Sequence, residues 1–238
     1  MVNLLSLSRY NVKLQFRHGF YYAYLFVCIV YIVLLRLLNP EMRELLTPVL
    51  IFSDPSMLGI FFVGGIVFLE RDDNILQSLF VTPMRAGDYC VSKALSLGFL
   101  ALLSSLVLAV AGKGGIAFHW PSLIAGTVLT SFLFTFAGLG VSVRTDSVID
   151  YIMTVVPVVI AAAVPFLQYF AVTDSFLMYL LPTQASLSLI QHGYSPGTVP
   201  AGEIGMSAGI LIVWNLAVWR WAEHRFRQHL AGAMEGRA

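Results

Sequence analysis

Few residues in this chain could do chemistry, and their spacing argues against most of it. The five histidines (His18, His119, His192, His224 and His229) fall on different segments, with none of the spacings that gather metal ligands. No HExxH and no GxSxG occurs. The single Gly-Lys pair, Gly112-Lys113, fails as a phosphate-cradling GxxxxGK[ST] loop: Val107 stands at the first glycine position and Gly114 at the Ser/Thr position. The chain is therefore not expected to hydrolyse ATP itself. Chemistry inside a bilayer would need paired ionisable groups there, and only Asp54 comes near, at a span's rim. Cys28 and Cys90 read as small core residues rather than a disulfide. No catalytic, cofactor-binding or metal-binding residue is expected, and a net charge of +1 gives no reason to expect nucleic acid.

One of the few long polar passages, Glu70 to Lys93 (ERDDNILQSLFVTPMRAGDYCVSK), lies between two apolar runs. Acids come first, and Asp72, Asp73 and Asn74 are helix-start residues that suit a helix N-terminus. Ile75, Leu76, Leu79 and Phe80 then recur at helical spacing on one face, until Pro83 ends the pattern. Such a short amphipathic helix either rests on a bilayer surface or docks into a partner protein. Glu70 lies at the mouth of an apolar run, where Arg71, Arg144 or the N-terminal basic stripe described below are candidate ion-pair partners.

The elements that must hold this stretch follow from composition. Hydrophobic residues make up 58% and charged residues 11%, against roughly 45–50% and about 25% in soluble domains. Several runs reach the roughly 20 apolar residues that cross a bilayer as a helix, and their continuity excludes an alternating β-barrel pattern. The expected fold is an all-α integral membrane bundle of six spans, read as one transmembrane domain over residues 1–238. Residues 1–18 form an elbow helix at the membrane surface, with Arg9, Lys13 and Arg17 as a basic stripe and the leucines split over two other sectors. No cleavable leader is expected in it. Span 1 is about 20–38 and is closed by Asn39-Pro40. Span 2 lies within 48–69, either capped by Asp54 with Pro55 at the first helical position or kinked there. Spans 3 and 4 are about 94–111 and 122–143, and span 5 is about 151–171, broken by Pro157 and Pro165. Residues 172–206 hold an apolar patch too short to span and read as a re-entrant or surface hairpin; span 6 is about 204–221 and a basic tail covers 222–238.

Orientation follows from the basic residues. With the N-terminus inside, the inner side holds Arg9, Lys13, Arg17, Arg71, Arg85, Lys93, Arg144, Arg220, Arg225, Arg227 and Arg237, and the outer side only Arg36, Arg43 and Lys113. Both termini are thus expected in the cytoplasm and the 172–206 segment outside.

The polar stretch also carries a resemblance. Phe68-x-Glu70-Arg71, Ile75-Leu76-x-x-Leu79, Val81-Thr82-Pro83 and Tyr89-x-x-Ser92-Lys93 resemble the first cytoplasmic loop of ABC-2 type permeases, with Asn74-Ile75 where a Gly-Thr is usual. Over most of the chain the layout is most similar to the fluoroquinolone export permeases. The resemblance implies a plasma-membrane exporter subunit that works with a separate ATPase, which holds the ATP and Mg, and with a second permease half, the same chain or another. It implies a coupling helix in the 70–93 loop. Ile75, Leu76, Leu79, Phe80 and Arg85 would meet the ATPase, and Glu70, Arg71 and Arg144 would transmit its motion. Phe61 and Phe62 of span 2 and Phe166, Gln168 and Tyr169 of span 5 would line a path for an apolar or amphipathic cargo. A non-ABC multi-pass protein, such as a small channel or an assembly factor, is the competing expectation. A haem-exporter-like subunit is a third, which the histidines do not favour.

Overall fold

The computed structural model describes residues 4–53, 57, 59–72, 86–170 and 176–235. Among these residues every regular element is helical. In chain order they are α1 (Leu4–Arg17), α2 (Phe20–Leu37), α3 (Pro40–Ile51), α4 (Gly59–Asp72), α5 (Ala86–Lys113), α6 (Trp120–Ser142), α7 (Val148–Ala162), the four-residue α8 (Phe166–Tyr169), a 3₁₀ turn (Phe176–Leu180), α9 (Pro182–Tyr194) and α10 (Ala201–Glu235).

Among the described residues, five segments are long and apolar enough to cross a membrane: Phe20–Leu37, Ala86–Lys113, Trp120–Ser142, Val148–Tyr169 and Gly202–Gln228. They match expected spans 1, 3, 4, 5 and 6. Helices α5 and α6 are the centre of the bundle, because 61% of their apolar windows is buried, against 17% in the other three. Glycines make that packing possible. Tyr151 of α7 is 1% exposed and donates its hydroxyl hydrogen to the Ile60 carbonyl of α4. A Cβ on Gly64 or Gly138 would come within 2.2 or 2.7 Å of this tyrosine, so only glycine lets α4 and α6 close around it.

The expected second span is two helices rather than one. Asn39, extended, precedes Pro40 at the first turn of α3, so Asn39-Pro40 starts a helix as well as ending span 1. Arg43 folds back from α3 and donates to the carbonyls of Leu35 (2.9 Å) and Leu38 (3.1 Å), which caps the end of α2. Helix α3 contains Pro48 and gives way to a wide π-type turn at Phe52–Ser53. Helix α4 begins at Gly59. At 12 and 14 residues neither piece alone reaches the length of a span. The proposed Asp54 cap lies outside the described residues.

Two further segments gain detail. Helix α9, in the expected hairpin, is about 20 Å long and, as expected, too short to span. It is wedged between α6 and α10, with Leu187, Leu189 and Ile190 buried and Gly193 against the backbone of Leu123. The expected basic tail continues the helix of span 6, since α10 runs unbroken to Glu235.

Candidate functional site

Four helices meet where the polar stretch leaves and re-enters the bundle: the end of α4, the start of α5, one face of α1 and the end of α6. Glu70 sits on the last turn of α4 and is 1% exposed; Lys93, two turns into α5, is 0% exposed. The two form a direct ion pair. Tyr89, one turn before Lys93, donates its hydroxyl hydrogen to the other Glu70 carboxylate oxygen at 2.7 Å. Lys93 also donates to the Asn11 side-chain oxygen of α1 at 2.9 Å. The carboxylate and the ammonium are therefore both paired and hydrogen-bonded, the condition under which a buried charge persists.

Around this pair α1 is fastened to α5 by a polar ladder. The Asn11 amide donates to the Ser92 hydroxyl at 3.1 Å and the Gln15 amide to the Ser96 hydroxyl at 2.9 Å. Asn11 and Gln15 are four apart on α1 and Ser92 and Ser96 four apart on α5, so one face of each helix meets the other. Helix α1 exposes its basic stripe, as expected, while the face it buries is partly polar. Its buried face is Asn11, Leu14 and Gln15, while Arg9, Lys13, Phe16 and Arg17 are exposed.

Arg71 makes a second clamp. It donates to the carbonyls of Ser142 and Thr145, both at 2.7 Å, and lies 5.1 Å from the Phe68 ring centre. It thereby caps the C-terminal end of α6, where a cation meets the negative end of the helix dipole. The C-terminal part of α10 joins the same node: Phe226 packs on Tyr89 at 5.1 Å, and Glu223, paired with Arg227, stands over Gly87.

Of the expected coupling residues, the structure brings Glu70 and Arg71 into this node and leaves Arg144 exposed beyond the end of α6. The Glu70 partner is corrected: it is Lys93, not Arg71, Arg144 or the basic stripe of α1, because Arg71 is turned to the α6 carbonyls and the stripe points away. Ile75, Leu76, Leu79, Phe80 and Arg85 lie outside the described residues. Sequence reasoning missed Asn11, Gln15, Tyr89 and Lys93 as node residues. The matching four-residue spacing of Asn11/Gln15 and Ser92/Ser96 was the available signal, together with Lys93 next to an apolar run where a lone charge needs a partner.

The five expected path residues do not share one surface. Phe61, Phe166 and Tyr169 pack against one buried cluster, with Phe166 at 5.4 Å from Phe52. The Tyr169 hydroxyl donates to the Leu45 carbonyl at 2.8 Å. Gln168 is half-buried, and its side-chain oxygen is buried without a hydrogen-bond partner. Phe62 points the other way, edge-on to Phe20 and Tyr24 of α2 at 5.1 and 5.3 Å.

A chain whose described residues form only helices, five of them apolar and of spanning length, is a multi-pass membrane protein. Its sequence matches the model of the fluoroquinolones export permease protein family over residues 2–233. It is 27% identical over 231 residues to two curated fluoroquinolones export permease proteins of Mycobacterium tuberculosis, from strains CDC 1551 / Oshkosh and ATCC 25618 / H37Rv, covering 97% of this chain and 97% of each of them. The chain belongs to the fluoroquinolones export permease protein family.

Proposed function

We propose that this chain is the membrane subunit of an ABC-2 type exporter. It moves an apolar or amphipathic small molecule, of the fluoroquinolone kind named for its relatives, outward across the plasma membrane. ATP and Mg are held by a separate ATPase chain, and a second permease half completes the path. In this reading the chain has six spans, α3 and α4 together forming the second, so that both termini share one side; the excess of Lys and Arg there supports that side, with the 70–93 loop, being cytoplasmic. Residues 72–82 dock into a groove of the ATPase through Ile75, Leu76, Leu79 and Phe80, with Arg85 at the edge.

The observation that carries this reading is the polar node. A loop that receives force must leave the membrane from a junction stiff enough to pass that force on. Glu70 and Lys93 sit on the two sides of the loop and are tied to each other, to Tyr89 and to α1. Arg71 ties the same end of α4 to α6. Motion of the loop would thus be shared by α1, α4, α5 and α6 at once.

The test is recovery of an ATPase with the detergent-solubilised permease. Burying a leucine or phenylalanine stabilises a contact by roughly 1.5–3 kcal/mol. Losing two such anchors in Leu79→Asp with Phe80→Asp weakens docking by about 10²- to 10⁴-fold. The expected result is loss of the ATPase with the permease's own thermal stability kept. Retention of a coupled ATPase by the double variant contradicts docking and favours a helix lying on lipid.

A further inference from the structure

Three cations fall on the side of the bundle away from the polar node, and two of them are occupied with carbonyls. Arg43 caps Leu35 and Leu38. Lys113 donates to the carbonyls of Ala117 and Tyr194, each at 2.9 Å. The third, Arg36, is exposed on the last turn of α2 and makes no hydrogen bond or ion pair to the described residues. It stands at the mouth of an apolar groove of ≈ 660 Å³ between α2 and α5, within the roughly 300–1,000 Å³ of small-ligand sites. Ile32 lies one turn before Arg36 on α2, and Leu106, Val107 and Val110 form the opposite wall on α5. The turn after α5 keeps the mouth open, since a Cβ on Gly114 or Gly115 would meet nothing within 4 Å.

We propose that this groove binds an anionic phospholipid, with one acyl chain along Ile32, Leu106, Val107 and Val110 and the phosphate on Arg36. The groove opens on the side that faces hydrocarbon: Val107 is 48% and Val33 54% exposed, and both helices are spans. Its natural filler is an acyl chain rather than water. A guanidinium near the end of a span rises to headgroup level, where its fork matches two phosphate oxygens. The free positive charge selects a headgroup of net negative charge over a zwitterionic one. The site lies at the opposite end of α5 from the Glu70–Lys93 pair and does not depend on what the permease exports.

Native mass spectrometry of the purified full-length chain tests the site, with phosphatidylglycerol, phosphatidylcholine or oleate added in turn. Phosphatidylglycerol should be retained in preference to the other two. Arg36→Gln should lower that retention by roughly tenfold or more, the loss expected for a hydrogen bond to a charged group. Arg36→Lys should keep part of it. Val107→Trp, which fills the groove from an exposed position and leaves Arg36 in place, should lower it as well. Equal retention by the wild type, Arg36→Gln and Val107→Trp overturns the proposal. So does phosphatidylcholine or oleate held as tightly as phosphatidylglycerol. A disulfide between two copies through Val107→Cys also overturns it, because a second chain then covers the groove. No ATP or ATPase enters the measurement, so its failure leaves the export reading standing.

Discussion

Removing the Lys93 ammonium tests the polar node most sharply. In Lys93→Met the Glu70 carboxylate keeps its bond from Tyr89 but loses its only ion-pair partner among the described residues, at a position 1% exposed. Breaking one side of a buried pair costs about 3–5 kcal/mol, because an uncompensated charge stays behind. For a domain of this size that corresponds to a fall in Tm of about 6–20 °C. Glu70→Gln alone leaves the ammonium with Asn11 and a neutral amide and should fall in the same range. The double variant Glu70→Gln with Lys93→Met removes both charges and keeps an acceptor for Tyr89. It should therefore recover most of the loss, since a neutral replacement of a whole buried pair is close to energetically neutral. The assay is thermal unfolding of the detergent-purified chain, read as a double-mutant cycle. Losses that simply add, or a Lys93→Met change below about 1 kcal/mol, would refute a paired and buried node.

Other outcomes follow from the same structure. Phe61→Ala and Gln168→Ala should change drug-stimulated ATPase activity with assembly kept, whereas Phe62→Ala, packed on Phe20 and Tyr24, should cost up to about 3 kcal/mol of stability instead; unchanged transport in the first two returns them to plain packing. Thr198→Cys should react with an impermeant thiol reagent on intact cells and Ser147→Cys should not; the reverse pattern contradicts the topology. Burial lowers the proton affinity of His192 on α9, with His119 beside it at 5.0 Å between ring centres adding to the effect. The unfolded chain then binds more protons than the folded one as pH falls below about 6.5. This contribution to stability is complete above that pH and is lost on acidification through the lower folded value. The wild type should accordingly lose more Tm between neutral pH and pH about 5.5 than His192→Gln does, and parallel curves exclude the effect.

Spans 1, 3, 4, 5 and 6 were legible because each is an unbroken apolar run, and lipid leaves a helix as the only open choice for such a run. The second span was harder, because the polar residues Glu41, Arg43 and Glu44 made the start of α3 look like a loop. Arg43 has a local structural use, capping α2, that hydropathy cannot see. Glu44 likewise accepts from the Ser195 hydroxyl across the fold at 2.8 Å. The packing face of helix α1 was hidden for a related reason. Its leucines, split over two sectors, marked no contact face, and the contact is made by Asn11 and Gln15 beside Leu14, with hydrogen-bond partners 81 residues away. Glu70 and Arg71 were legible as important from their place at the mouth of a span. Their partners were not, because pairing depends on which way α5 and α6 present Lys93 and the carbonyls of Ser142 and Thr145.

Under the proposed function this chain exports a small molecule only when a separate ATPase drives it. The direct measurement is uptake of a fluoroquinolone into inside-out vesicles that carry the permease with or without its co-purified ATPase. Uptake should require both chains and ATP, and should be abolished by Leu79→Asp with Phe80→Asp while the permease remains folded. Equal uptake by the permease alone, independent of ATP, would contradict the proposed function.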